Sequence, residues 1–220
     1  VAAAATELFG QLGYRRTQMA DVARKAGLST GAIYTYVESK EALFHVVFAV
    51  AFGQFAEAAP SLPVATPART ATLKLVGTGL ARAGATPLLQ SALSIDRPAD
   101  IRLELTGIVE ERCALIERLW PVLAVIERSA VDLPDLDALY YDRRRRGYID
   151  QLEQYLAKRG ADGYLRTTPD VRVAGQVVTE MIAWSGWHRR EDRRAALFDT
   201  DLTRNTIVQL ICDALIEPVR

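Results

Sequence analysis

The chain reads as an all-α protein, and three observations lead there. Apolar residues recur at helical spacing along nearly its whole length, as at Ala5, Leu8, Phe9 and Leu12 and again at Met19, Val22, Ala23 and Ala26. No segment sustains a two-residue alternation, and no Asn-Gly or Asp-Gly turn sits between alternating runs. Half of the 220 residues are apolar, ample for a packed core.

Each helix can be placed by its start and stop signals. The first ends at Gly13, and the second, Gln18 to Ala26, is followed by Gly27 where a left-handed turn residue is wanted. Ser29 caps a third helix from about Thr30 to Val37, and Ser39 caps a fourth from Lys40 to about Ala59. Ala59 to Pro67, with Pro60 and Pro63, reads as a linker. Thr66-Pro67 then opens a helix to about Ala83, and Leu88 to Ile95 is a short helix or turn. Ala99 to Ala130 is helical with a kink or break expected at Pro121. Pro134 opens a long helix to Arg159, Pro169 another to Trp187, and Leu202 to Ile216 is the last, with a charged loop from His188 to Arg194 before it. The chain divides into a three-helix head, residues 1–44, and a larger helical body, residues 45–220.

Formal net charge is zero, so no global basic field points to a nucleic-acid partner. Cys113 and Cys212 stand far apart with no second ligand type nearby, which suggests core residues and neither a disulfide framework nor a metal site. No secretory signal is visible, and the most apolar run, Ala42 to Ala56, is interrupted and too short for a membrane span, so a cytoplasmic location with no membrane partner is expected. Helical spacing from the first residues leads to the expectation that native residues precede Val1. His45 and His188 lack a carboxylate–nucleophile pattern, and GxSxG, P-loop and HExxH motifs are missing, so no enzyme and no cofactor is expected.

The head carries the chemistry. Residues 18–37 have the pattern of a helix-turn-helix, in which a first helix braces a second so that its start reaches base edges in the major groove. Ile33, Leu28 and Val37 point inward, while Thr30, Gly31, Tyr34 and Thr35 stay outside. Gly31 lets backbone and groove approach, and Thr30 and Thr35 can bond a base edge or meet a thymine methyl. Tyr34, Tyr36 and Lys40 suit phosphate oxygens, and Thr17 is read as the cap of the bracing helix, whose free N–H groups would meet a phosphate. Ser29 is a cap and a further candidate contact.

Phe9, Gly13-Tyr14, Thr17, Asp21-Val22-Ala23, Ala26-Gly27, Ser29, Gly31, Tyr34, Tyr36 and Ser39-Lys40-Glu41 together resemble the N-terminal domain of TetR-type bacterial transcriptional regulators. The resemblance covers about 45 residues. Tyr36 stands where such domains often have His, and Val37 where Phe is common. The resemblance implies a palindromic DNA operator, a homodimer and a small-molecule effector.

Charge supports the dimer independently. The head holds five basic residues (Arg15, Arg16, Arg24, Lys25, Lys40) against four acidic ones (Glu7, Asp21, Glu38, Glu41), a weak grip for one head alone. Two heads on one duplex would need half-sites spaced by about one helical turn, roughly 34–36 Å, or somewhat more.

In the body, the helix from Asp170 to Trp187 is apolar on more than one face and needs burial on two sides. Val177, Val178, Met181, Ile207, Leu210 and Ile211 are the candidate dimer surface on the last two helices, with the helices from Asp135 and Asp170 as the alternative pair. Trp120, Tyr140, Tyr141, Tyr155 and Trp184 could line an effector pocket suited to an apolar or aromatic molecule, or form an ordinary aromatic core. The run Arg143 to Arg146 covers all sides of a helix, with Asp142, Asp150 and Glu153 available as partners. The reading is a regulator released from DNA by its effector. An effector-free DNA-organising protein, or a small-molecule binding protein whose head no longer binds DNA, remains open.

Overall fold

The computed structural model describes residues 1–58, 60–68 and 70–217. Among them the structure is helical, with no strand and two isolated bridges, Val37–Val64 and Leu165–Ile216. The helices are α1 (Ala2–Arg16), α2 (Met19–Lys25), α3 (Thr30–Ile33), α4 (Lys40–Ala51), α5 (Gln54–Ala58), α6 (Ala71–Ala83), α7 (Pro87–Ser94), α8 (Ile101–Ala130), α9 (Pro134–Asp137), α10 (Arg146–Ala161), α11 (Val171–Gly186) and α12 (Thr200–Leu215). A π-helical segment, Ala138–Arg145, joins α9 to α10. The chain forms two compact units, one of residues 1–84 and 119–144, the other of residues 85–118 and 145–220.

In the first unit the core is built on an aromatic row. Phe44, Phe48 and Phe52 follow a four-residue spacing, which places them on one face of α4 and the turn after it. Phe44 meets Phe9 edge-on at 5.1 Å and Tyr14 at 4.9 Å, and Phe48 at 5.0 Å. Phe52 stacks on Phe48 at 6.5 Å, and α6 comes so close that a Cβ on Gly79 would overlap the Phe52 ring. His45 bonds Thr72 of α6 at 3.0 Å, and partial burial lowers its pKa. It is a packing residue, as its position on α4 suggests.

Several expected boundaries shift, each for a local reason. Gly13 does not end α1; it takes φ 80° inside it, and the helix resumes to Arg16. The chain passes the Arg128 carbonyl there so closely that a Cβ would stand 2.5 Å from its oxygen, so Gly13 serves close approach as well as a left-handed φ. Helix α4 stops at Ala51, short of the expected end, because Gly53 at φ 73° closes a turn; Ala59 itself lies outside the described residues. α6 begins at Ala71 and not at Pro67, because residues 64–66 are bonded to the head. α8 runs unbroken through Pro121. The long helix from Pro134 is interrupted by the wide π turn, which no sequence signal announced. α10 ends at Ala161, with Gly163 at φ 78° in place of Gly160 as the turn glycine.

The second unit is organised around a buried arginine. Arg159 is fully buried. It makes two bonds to the Glu104 carboxylate at 2.8 and 3.0 Å and donates to the carbonyls of Ala92, Ile95 and Asp96 at 3.0–3.1 Å. One guanidinium fork thereby satisfies the open C-terminal end of α7 and ties α7 and α8 to α10. Arg189 is likewise buried, bonded to the carbonyls of Ser185 and Phe198 and to Thr200; the charged stretch before α12 begins with a short 3-10 turn, His188–Glu191, and residues 191–194 are exposed. The arginine run does not use its expected partners. Arg144 donates to the Gly77 carbonyl at 2.9 Å and Arg145 pairs with Glu180, because the π turn rotates them away from Asp150 and Glu153. Cys113 and Cys212 are free and buried.

Two substitutions test this packing by urea unfolding. Gly13→Ala should cost about 1–3 kcal/mol, since it adds backbone strain where the Arg128 carbonyl blocks relaxation. Arg159→Leu should cost more, about 3–5 kcal/mol, because it leaves the Glu104 carboxylate and three carbonyls without their donor. An unchanged midpoint in either variant would contradict the assigned contact.

Candidate nucleic-acid interface

The head presents its third helix by a chain of local bonds. Leu28 N–H donates to the Ala23 carbonyl at 2.9 Å across Gly27, which takes φ 72°, and this fixes the tight turn after α2. Ser29 Oγ accepts from Ala32 N–H at 3.1 Å, the N-cap bond its residue type suggests. Ile33 and Val37 are buried beneath, with Val22 and Ala23 of α2. Thr30, Gly31, Tyr34, Thr35 and Tyr36 are all exposed, and nothing lies within 4 Å of where a Gly31 Cβ would be. Tyr34 and Tyr36 are 45% and 40% exposed, which leaves both hydroxyls reachable by a phosphate.

The helix is shorter than its pattern suggests. α3 ends at Ile33 and not at Val37. Tyr34, Thr35 and Tyr36 continue it in tighter turns, donating to Gly31, Ala32 and Ile33 carbonyls three residues back. Val37 is then drawn into the bridge with Val64: Val64 N–H donates to the Tyr36 carbonyl at 2.8 Å, and Glu38 N–H to the Val64 carbonyl at 3.0 Å. Thr66 adds a backbone bond to Glu38 Oε2 at 2.9 Å and a hydroxyl bond to Ser39 Oγ at 2.8 Å. Within the stretch that reads as a proline-rich linker, residues 64–66 thus form a strap behind the end of the third helix. The prolines of that stretch supplied no pairing signal.

Two candidate contacts have other duties. Thr17 does not cap α2; Gln18 holds that position without a side-chain bond. The Thr17 hydroxyl is buried and donates to the Gly13 carbonyl at 2.8 Å, which also accepts the Thr17 backbone N–H at 3.3 Å. Lys40 donates to the Arg15 carbonyl at 3.1 Å and lies 4.6 Å from the Tyr14 ring centre; burial lowers its pKa, against the pull of Glu41 and Asp132. Tyr14 donates to Glu41 at 2.9 Å. Burial first, and then this bond, raise the pKa of its phenol, while the Glu41 carboxyl is held low by its own backbone N–H and by Tyr14.

The body residues divide between the two units. Trp120, Tyr140 and Tyr141 belong to the first, with Tyr140 buried and edge-on to Tyr141 at 5.0 Å. Tyr155 and Trp184 belong to the second. Tyr155 is fully buried beside Arg159, whereas Trp184 is 39% exposed on α11. Of the six residues named for a dimer surface, Val178, Ile207 and Ile211 are buried within the chain, while Val177 and Leu210 are more than half exposed. With Val173, Met181 and Ala214 they line an apolar groove of about 410 Å³ on the second unit. No helix among the described residues is long and apolar enough to cross a membrane.

The Ser29→Ala variant should lose about 0.5–2 kcal/mol of stability and Ser29→Gly only a few tenths, read by thermal or urea unfolding. Equal losses would show that the Ser29 hydroxyl is not the cap.

Comparison with known proteins agrees with this geometry. Residues 1–47 match the family model described as bacterial regulatory proteins, tetR family. The chain is 40% identical over 65 residues to the uncharacterized HTH-type transcriptional regulator YhgD of Bacillus subtilis, a match that spans 27% of this chain and 34% of that protein. The chain thus matches about a third of this curated relative's length. Among solved structures, the ketosteroid transcriptional regulator KstR2 of Mycobacterium tuberculosis superposes with a TM-score of 0.58 at 16% identity, covering 99% of this chain and 93% of that one. AibR, solved in complex with isovaleryl coenzyme A and operator DNA, gives a TM-score of 0.53 at 17% identity, with coverage of 97% and 96%. Residues 1–47 thus resemble the amino-terminal domain of the tetR family of bacterial regulatory proteins, and the described residues share the fold of solved regulators such as KstR2.

Proposed function

We propose that this protein is a homodimeric DNA-binding transcriptional repressor, released from a palindromic operator by a small apolar or aromatic effector. The observation that carries the reading is the exposed surface of Thr30, Gly31, Tyr34, Thr35 and Tyr36 on a capped, braced helix inside a tetR-type head. In this reading Thr30 and Thr35 meet base edges, and Gly31 admits the groove wall. Tyr34, Tyr36, Ser29 and the N–H groups at the start of α2 take phosphates, and Lys40 supplies charge beside them.

Dimerisation is supported by the apolar groove on α11 and α12. Exposed Val177 and Leu210 beside buried Val178 and Ile211 give these helices one face for the chain's own core and one for a second copy. The body receives the effector, and in the first unit Trp120, Tyr140 and Tyr141 are the aromatic residues offered to it. Effector and operator then bind different states of one equilibrium, so each weakens the other. The AibR complex makes a short acyl thioester of coenzyme A the first compound to try.

Selection of bound sequences from a random duplex pool, repeated with isovaleryl coenzyme A and with apolar and aromatic compounds, tests the reading. An inverted repeat should emerge, and an effector should weaken its binding. Thr30→Ala should cost about 1–3 kcal/mol at one base position of each half-site and leave the others unchanged. A bound motif with no repeat, or no enriched sequence at all, would overturn the proposal.

A further inference from the structure

A cavity of about 380 Å³ lies within the first unit, at the foot of the head. That size falls in the range of small-molecule sites, roughly 300–1,000 Å³. Five pieces of chain wall it. Tyr14 comes from α1, Glu41 and Phe44 from α4, Pro67 and Ala68 from the continuation of the strap, Thr72 and Leu73 from α6, and Asp132 to Leu136 from the turn after α8 and the start of α9. Neither the aromatic body residues nor the α11–α12 groove forms any part of it.

Its chemistry is one-sided. The floor is apolar, with Phe44, Leu73, Leu133 and Leu136. Its ionisable lining residues besides Tyr14 are three carboxylates, Glu41, Asp132 and Asp135, and no lysine or arginine is among the described lining residues. Glu41 is kept ionised by its bonds, including the one from Tyr14. Lys40, 4.6 Å from the Tyr14 ring centre, acts on both Glu41 and Asp132, and the 80% exposed Arg15 stands 4.0 Å from Asp132, whereas Asp135 has no ion-pair partner among the described residues. Three carboxylates against these two cations leave the site with an excess of negative charge, which opposes an anion and favours an ammonium group beside the apolar wall.

We propose that this cavity binds a small organic cation with an apolar body, an aryl or alkyl amine, and that its occupancy pins the strap to the head. A ligand that fits a cavity formed by strap, head and turn binds only the arrangement in which all three are in place, and so stabilises it. The same strap holds Tyr36, Glu38 and Ser39 through the bonds of Val64 and Thr66. A filled cavity therefore fixes the end of the reading helix from behind. The binding step does not depend on the protein's recognising DNA, so it can stand or fall by itself.

The full chain without DNA is titrated calorimetrically with 4-butylbenzylamine, 4-butylbenzyl alcohol and 4-butylbenzoate, which share one apolar body. The amine should bind at least about tenfold more tightly than the alcohol, and the benzoate most weakly. Asp132→Asn should erode the preference for the amine. Ala68→Trp, a change at an exposed wall residue, should block the mouth and abolish binding without altering the unfolding midpoint. Bound amine should slow hydrogen exchange at the Glu38 and Val64 amides. Equal affinity for the three compounds, amine binding that survives Ala68→Trp, or exchange at those amides that stays the same or quickens would overturn the proposal.

Discussion

Burial of the aromatic row on α4 is the interaction on which the head depends. Phe44 packs against Phe9 and Tyr14, Phe48 continues the row, and Phe52 ends it against α6. Each such ring removes apolar surface worth about 1.5–3 kcal/mol, so the row dominates the energetics of a domain whose recognition helix is a single turn. A four-residue helix cannot hold its own shape in water. α3 keeps its direction because Ile33 and Val37 are buried, as are Val22 and Ala23 of α2, on which α3 packs.

The remaining devices refine that arrangement. Ser29 closes the front of α3, the tight turns after Ile33 carry Tyr34 and Tyr36 outward, and the strap pairs with the backbone behind them. Gly13 lets α1 pass against the Arg128 carbonyl. These contacts give the reading surface a fixed shape at little cost in charge. On the proposed function, a head with one net positive charge takes its fit to a groove from this geometry and its affinity from a second copy.

Much of this was legible in the residues. Helical spacing, the Gly27 turn and the caps at Ser29 and Ser39 predicted the head's helices, because those signals act within four or five residues. What escaped depends on partners distant in sequence. The strap pairs Val64 with Tyr36 and Glu38, and the prolines around it suggested a free linker. Thr17 has the residue type of a cap for the helix after it, yet its hydroxyl turns back to the Gly13 carbonyl of α1. Arg159 carried no visible mark, since its acceptors are three carbonyls at the end of α7 and a glutamate 55 residues earlier. The candidate effector residues are marked in the sequence by type alone; Trp184 is 39% exposed and Tyr155 lies in a packed core.

The central claim is that one head is too weakly charged to hold DNA, and that the α11–α12 face supplies the second. Native mass spectrometry of the protein with a duplex carrying the selected site, and with a duplex carrying half of it, addresses that directly. The account predicts complexes of even chain number on the full site and none retained on the half-site at the same concentration. A single chain held on the half-site with undiminished affinity would contradict it.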